Sequence, residues 1–551
     1  MRAFLFPDNF VIIKLMTILI KNIQLLDGTG RPPVKADVLV KNEKISAVGN
    51  FPKYRADEII DGLGNYLAPG FIDINAASDR YLTLFSNPDQ KDSLLQGATT
   101  LIGGQGGFSL APLIYGSLEA IREWADVGKV NVSWHTLAEF LKAMDRRPLG
   151  VNFGTLVGHI TVRHDLVGEN SRDLSRNELR VFNLLLEKSL REGAFGFSAG
   201  LNHRYSRQTS YSEIKALAET TAKLKGLYAV FLRNEKNNLL SSVSETIAIA
   251  KETNAKVLIN HLRPLIGSGK DYEEALELID KNTDKADIFF GVCPFNVSAV
   301  LISSFLPDWA QAGGRIEMLK DIEAPGLKEK IIKELPRFKG DEVVVVSAPG
   351  NEYLVGKSLK EFSQNRDLNV YEGLLALMKL TEFRAVVSYA NVNSRKISEA
   401  LNHNRAIVVS GGVSFAPLEM GRPSAAVSVP KGQGGSLTGF GQSEGFKKSI
   451  SEKHSYKTFI KFLSLAETKK IMPLGTAIYK ITGLPAQRLG LDRRGLIRDG
   501  YFADLVIFST RGGSAIGGKD VEVREVIVNG KRAVKEGKFQ NILAGKILRH
   551  Q

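Results

Sequence analysis

The side chains able to do chemistry are sparse: the 551 residues include eight histidines and a single cysteine, Cys293. His261 and Arg263 stand together in Asn260-His261-Leu262-Arg263, after the apolar run 256–260. An imidazole there can ligate a metal or donate a proton, and a guanidinium can clamp a carboxylate through paired N–H bonds. The plainer alternatives are a strand-end histidine bonded to nearby backbone and a rim ion pair. A lone imidazole does not make a zinc site, which takes three or four protein ligands. His203, with Arg204 and Arg207, forms a basic loop that could receive an anion or simply be solvated. His159 with Arg163, and the run Arg233-Asn234-Glu235, read as supporting polar networks. Cys293 has no adjacent His or Asp and reads as a structural thiol. The Gly-rich stretches 103–107 and 432–441 could cradle phosphate through backbone N–H groups, but neither ends in the Lys-Ser/Thr of a P-loop.

These residues need elements to hold them. Apolar runs at 67–74, 98–103, 153–158, 194–198, 227–232, 256–260, 286–290, 385–389 and 406–410 end in glycine or polar residues. Helical stretches, such as 176–191, 212–224 and 241–252, lie between them. This alternation predicts a (β/α)8 barrel over about 70–480, with functional groups at the C-terminal strand ends. Nine runs for eight strands leaves one in excess. The segment 303–350, with a helical run at 327–335, breaks the alternation and is expected to be an inserted helical subdomain. Short strands crowd both termini, with turn signals at Asn42-Glu43 and Asn529-Gly530. They predict one small β-sandwich domain built from 17–69 and 481–548. Residues 1–16 are expected to be an extension outside the fold.

Composition restricts the function classes. The net charge of +14 comes from 73 Lys+Arg against 59 Asp+Glu and contains no long like-charged block. It favours anionic small ligands weakly and gives no reason to expect nucleic-acid binding. No apolar run is long enough to predict a membrane span, and no cleavable leader is expected. One cysteine fits a reducing compartment, and a cytoplasmic location is expected.

Two motifs are more specific. Ala68-Pro69-Gly70-Phe71-Ile72-Asp73 follows the N-terminal strands, and Gly500-Tyr501-Phe502-Ala503-Asp504-Leu505-Val506 precedes the C-terminal ones. Together with Gly107-Phe108-Ser109-Leu110-Ala111-Pro112, Glu192-Gly193-Ala194-Phe195-Gly196-Phe197-Ser198 and Leu484-Pro485-Ala486-Gln487-Arg488-Leu489, they resemble the amidohydrolase superfamily. The narrower resemblance is to the N-acyl-D-amino-acid deacylases (D-aminoacylases), over about residues 17–548. It implies zinc-assisted amide hydrolysis, with the metal at the strand ends and an Asp as general base.

Carried over position by position, that apparatus is missing. Where the family has Asp-x-His-x-His, this chain has Asp73-Ile74-Asn75-Ala76-Ala77. The ligand cysteine position is Gly106, the strand-4 histidine position is Phe231, and the general-base Asp position is Gly411. The His-Pro-Arg stretch corresponds to Gln433-Gly434-Gly435. His261 alone survives as a metal ligand. His203 takes the place of a substrate-contacting Tyr, and Arg263 that of a Lys near the substrate carboxylate. Phe231 and Phe290 are expected to fill the former metal volume. The resulting expectation is a family member without zinc-dependent hydrolysis and without a cofactor, binding an acyl-amino-acid-like or other anionic ligand. The alternative is an active hydrolase of non-peptide C–N bonds, with zinc held by a non-standard site. Restoring Asp at 411 alone is expected to restore no activity.

Overall fold

A computed structural model describes residues 16–169, 172–311, 314–411, 450–512 and 520–551. The Gly-rich loop 432–445, Gln433-Gly434-Gly435 and the first 15 residues lie outside that set.

The chain begins with β1 (Thr17–Leu25), β2 (Val34–Lys41), β3 (Lys44–Gly49), β4 (Glu58–Asp61) and β5 (Tyr66–Pro69). Asn42, with φ +51, makes the tight β2–β3 turn. The apolar run 67–74 is not one strand. Gly70 divides it, because a Cβ there would lie 2.1 Å from Thr99 Oγ1. Beyond it β6 (Phe71–Asp73) opens the barrel, followed by β7 (Ala98–Gly103) and β8 (Asn152–Thr155), all parallel. Next come β9 (Val157–Gly158), β10 (Gly196–Gly200), β11 (Leu227–Phe231), β12 (Lys256–Ile259) and β13 (Ile288–Val292).

β9, β10, β11 and β12 are each followed by a helix. Arg176–Glu192 starts at a Ser175/Glu178 capping box and stops at Gly193, φ +115. The inserted subdomain follows β13. It carries helices, including Pro325–Glu334, but extends beyond the expected 303–350. β14 (Ser298–Leu301), β15 (Val343–Ser347) and β16 (Val386–Tyr389) form its antiparallel sheet, with β16 in the middle. The run 385–389 is therefore the excess strand: it pairs inside the insert, over that subdomain's own apolar cluster of Ile302, Val345, Phe362 and Val387. β17 (Ala406–Val408) returns to the barrel beside β13, giving the parallel order β17-β13-β12-β11-β10-β9.

The C-terminal strands β18 (Leu505–Gly512), β19 (Asp520–Val528), β20 (Lys531–Lys535) and β21 (Lys538–Phe539) join the N-terminal ones. Strands from 17–69 and from 505–539 lie in one nine-stranded sheet, joined where β18 pairs antiparallel with β5. Period-two alternation gives this sheet two apolar faces. Val506, Phe508, Val526 and Val528 belong to the large apolar cluster that includes barrel residues, whereas Leu505, Ile507 and Ile527 belong to a second cluster with Ile18, Val38 and Leu67. A third cluster, of Ile72, Ile102, Leu156, Leu227, Leu258 and Ile407, fills the barrel interior, with Leu484 and Leu489 packed against it. Among the described residues no helix is long and apolar enough to cross a membrane.

Candidate functional site

The same alternation decides what reaches the barrel mouth. Leu227 and Ala229 of β11 point into the interior cluster, and Tyr228 and Val230 point out. Phe231 therefore ends the strand facing inward. On β13 Phe289, in register with Leu258 and Ala229, packs on the interior, while Phe290 faces out, 5.1 Å from the His403 ring. Phe290 thus points away from the strand-end residues it was expected to join. Phe231 sits beside His261, with its ring centroid 5.3 Å from that of His261.

His261 follows β12 in a left-handed conformation, φ +51, which turns its ring toward β6. Asn75 Nδ2 lies 3.0 Å from His261 Nε2. With the amide donating, the imidazole is neutral and carries its proton on Nδ1. That Nδ1 is buried without a partner among the described residues. Burial, then the charges of Arg263 and Arg80, holds the His261 pKa well below its ordinary value. Gly411, φ +55, closes on the same ring, since a Cβ there would lie 1.9 Å from His261 Cε1. A Cβ on Gly106 would lie 3.1 Å from Phe231 Cε2 and 3.2 Å from Arg80 Nη1. Asn75, Gly106, Phe231, His261 and Gly411 are therefore brought together. Ala77 is buried nearby in the chain, with no donor atom to offer.

These residues do not fit zinc. One imidazole nitrogen faces an amide N–H donor, the other ligand positions are Gly, Phe or Ala, and a zinc site needs at least three protein ligands. Among the described residues no group of three or more His, Cys, Asp or Glu side chains is placed to hold a metal ion.

The other sequence candidates are already engaged. Arg263 forms an ion pair with Glu235, so it is not a free carboxylate clamp. His203 Nε2 lies 3.3 Å from Glu123 Oε2, and Arg204 pairs with the same carboxylate. Burial and the charges of Arg80 and Arg207 bring the His203 pKa down to about 3. Arg207 pairs with Asp308 of the insert. Arg233 is held by Glu245 at 2.7 Å, a structural network as expected. Cys293 Sγ lies 3.5 Å from the Ser410 carbonyl, and burial pushes its thiol pKa up to about 12. That is an unreactive thiol at neutral pH.

Two further groups were not read from sequence. Asp73 is buried and accepts from the amides of Asn75 and Ser410, each at 3.2 Å, tying the first barrel strand to the end of the last. Burial nevertheless raises its pKa. Arg80 enters beside Gly106, with its guanidinium 4.2 Å from the Trp124 ring centroid. Its one signal in the sequence is a lone cation inside the otherwise apolar or small-residue stretch after β6.

The chain is similar along nearly its whole length to known deacylases. A family model described as "Amidohydrolase family" matches residues 456–534. D-aminoacylase of Alcaligenes xylosoxydans xylosoxydans is 25% identical over 535 residues, covering 95% of this chain and 96% of its own. N-acyl-D-aspartate deacylase of the same organism is 26% identical over 88% of this chain and 84% of its own. A solved D-aminoacylase, studied for its binuclear metal center, superposes with a TM-score of 0.76 at 22% identity, covering 97% and 99% of the two chains. N-acyl-D-glutamate deacylase of Bordetella bronchiseptica, solved with zinc and a phosphonate inhibitor, gives 0.77 at 20% identity over 98% and 100%.

Proposed function

We propose that this chain, a relative of the amidohydrolases of the D-aminoacylase type, has given up zinc-dependent deacylation. In its place it binds a small acyl-amino-acid-like or other anionic ligand at the barrel mouth. The observation that carries this reading is the Asn75–His261 contact. The one imidazole among the former ligand positions has its Nε2 opposed by an N–H donor rather than free to meet a cation. Zinc would lower the pKa of its bound water to about 7. A placed general base contributes about 10²–10⁴-fold. With neither ligand set nor base, no route to amide cleavage at neutral pH is evident. The single cysteine fits the reducing cytoplasm as the place of action.

The test measures bound zinc in the purified protein and turnover of an N-acyl-D-amino-acid panel with added Zn²⁺. Wild type and His261→Ala are compared. Metal-poor protein with no turnover in either form is expected. Near-stoichiometric zinc with turnover abolished by His261→Ala would overturn the reading and favour the active C–N hydrolase.

A further inference from the structure

Most cations around the barrel mouth have a carboxylate partner: Arg263 has Glu235, Arg204 has Glu123, and Arg207 has Asp308. Arg80 differs. Among the described residues it has no ion pair, although the buried Asp79 carboxylate feels its charge; its Nε, like those of Arg204, Arg207 and Arg263, is buried without a hydrogen-bond partner there. The carboxylate next to it in sequence, Asp79, accepts from the Gly104 amide at 2.5 Å. Aromatic rings flank the guanidinium, with centroids at 4.2 Å for Trp124, 5.5 Å for Tyr81 and 6.0 Å for Phe108. A guanidinium held over an indole keeps its N–H edge for a planar, bidentate acceptor. Its position is equally telling. Nη1 lies 3.2 Å from where a side chain on Gly106 would begin. The positive charge therefore stands at a position from which the family's metal-ligating side chain is missing. Around it, Arg263 Nε and His261 Nδ1 are also buried N–H groups without partners among the described residues. In the neutral tautomer set by Asn75, His261 Nδ1 is a donor. A surplus of donors around a fixed cation is the chemistry of an anion site.

We propose that Arg80 is the anion-binding group of the barrel mouth, receiving the carboxylate of a small organic acid through its free guanidinium edge. This deepens the binding reading above and rests on it.

The experiment is calorimetric titration of the full chain with a chelator present, using N-acetylglycine, acetate, inorganic phosphate and the uncharged N-acetylglycinamide. Wild type should bind N-acetylglycine and fail to bind the amide. Arg80→Met should weaken the carboxylate about ten- to a hundred-fold, the loss of a charge-assisted pair. Arg80→Lys, which keeps the charge but not the fork, should fall between them. Circular dichroism and a thermal melt report whether each variant folds, and the Lys variant carries the test if the Met variant does not. The proposal is overturned by unchanged affinity in a folded Arg80 variant, or by loss on Arg263→Met but not on Arg80→Met. Equal affinity for the amide, no binding in wild type, or tighter binding of phosphate than of either carboxylate would also overturn it. Failure of the two readings is separable. Zinc-dependent turnover in wild type, together with Arg80-dependent carboxylate binding, sinks the non-hydrolytic reading and leaves the anion site. Metal-poor, inactive protein whose carboxylate affinity ignores Arg80 does the reverse.

Discussion

Two buried histidines sit on the same barrel in opposite circumstances. His159 follows β9 and has both ring nitrogens bonded: Nε2 to Glu213 Oε1 at 2.8 Å and Nδ1 to Ser206 Oγ at 2.8 Å. Arg163 adds bonds of 3.1 and 3.0 Å to the same carboxylate. Burial alone would raise the Glu213 pKa, but His159 and Arg163 hold it below the usual carboxylate range. His261 has one bonded nitrogen and one that, among the described residues, has no partner. A polar cluster that closes on itself locks elements together. One that leaves donors unanswered is poised for something from outside.

The largest expected difference comes from removing a charge. Glu213→Ala strands Arg163 in the interior and should cost about 3–5 kcal/mol, read from denaturant unfolding. The Arg263–Glu235 pair is less sealed and carries fewer bonds: its side chains are 14% and 15% exposed against 3% and 2% for Arg163 and Glu213, and Glu235→Ala should cost about 1–3 kcal/mol. A loss at Glu235 as large as that at Glu213 would erase the distinction between lock and open site.

Gly411→Asp sharpens the comparison from the other side. Its Cβ would collide with the His261 ring, on a backbone of φ +55. We expect a loss of about 1–3 kcal/mol in stability, with no zinc uptake by metal analysis. The sequence alone anticipated an inert substitution for activity; the structure adds the steric cost.

Acid should act on both histidines. Burial holds each folded pKa below the ordinary value, so the unfolded chain takes up protons first. The associated stability is present above about pH 6.5 and is lost as pH falls below it, by at most about 1.4 kcal/mol per pH unit per histidine. Denaturation midpoints followed from pH 7.5 to 5 should show this slope, and His261→Gln should remove part of it. A slope that rises toward acid would contradict the assignment of neutral imidazoles.

The smallest effect is expected at Asn75→Ala, about 0.5–1.5 kcal/mol for one lost hydrogen bond. Its informative readout is the His261 pKa by NMR.

What the sequence determined by itself was whatever resides in side-chain identity and local period. Glycine at 106 and 411, phenylalanine at 231 and alanine at 77 cannot bind zinc in any fold. Strand–helix alternation dictated a barrel, and strands at both ends dictated a shared sheet. Capping residues such as Ser175 and Gly193 fixed helix ends within a residue or so. What depended on pairing across the chain stayed hidden. The run 385–389 reads like a barrel strand, yet its partners are β14 and β15. Phe231 and Phe290 look equivalent, but strand parity sends one into the mouth and the other out. Arg263 reads as free until Glu235, 28 residues away, is seen to neutralise it. Arg80 gained its meaning only when folding set it beside Gly106 and against Trp124. Ligand chemistry is a property of one residue, whereas a free charge depends on what every other segment brings to it, and only the tertiary structure makes that assignment.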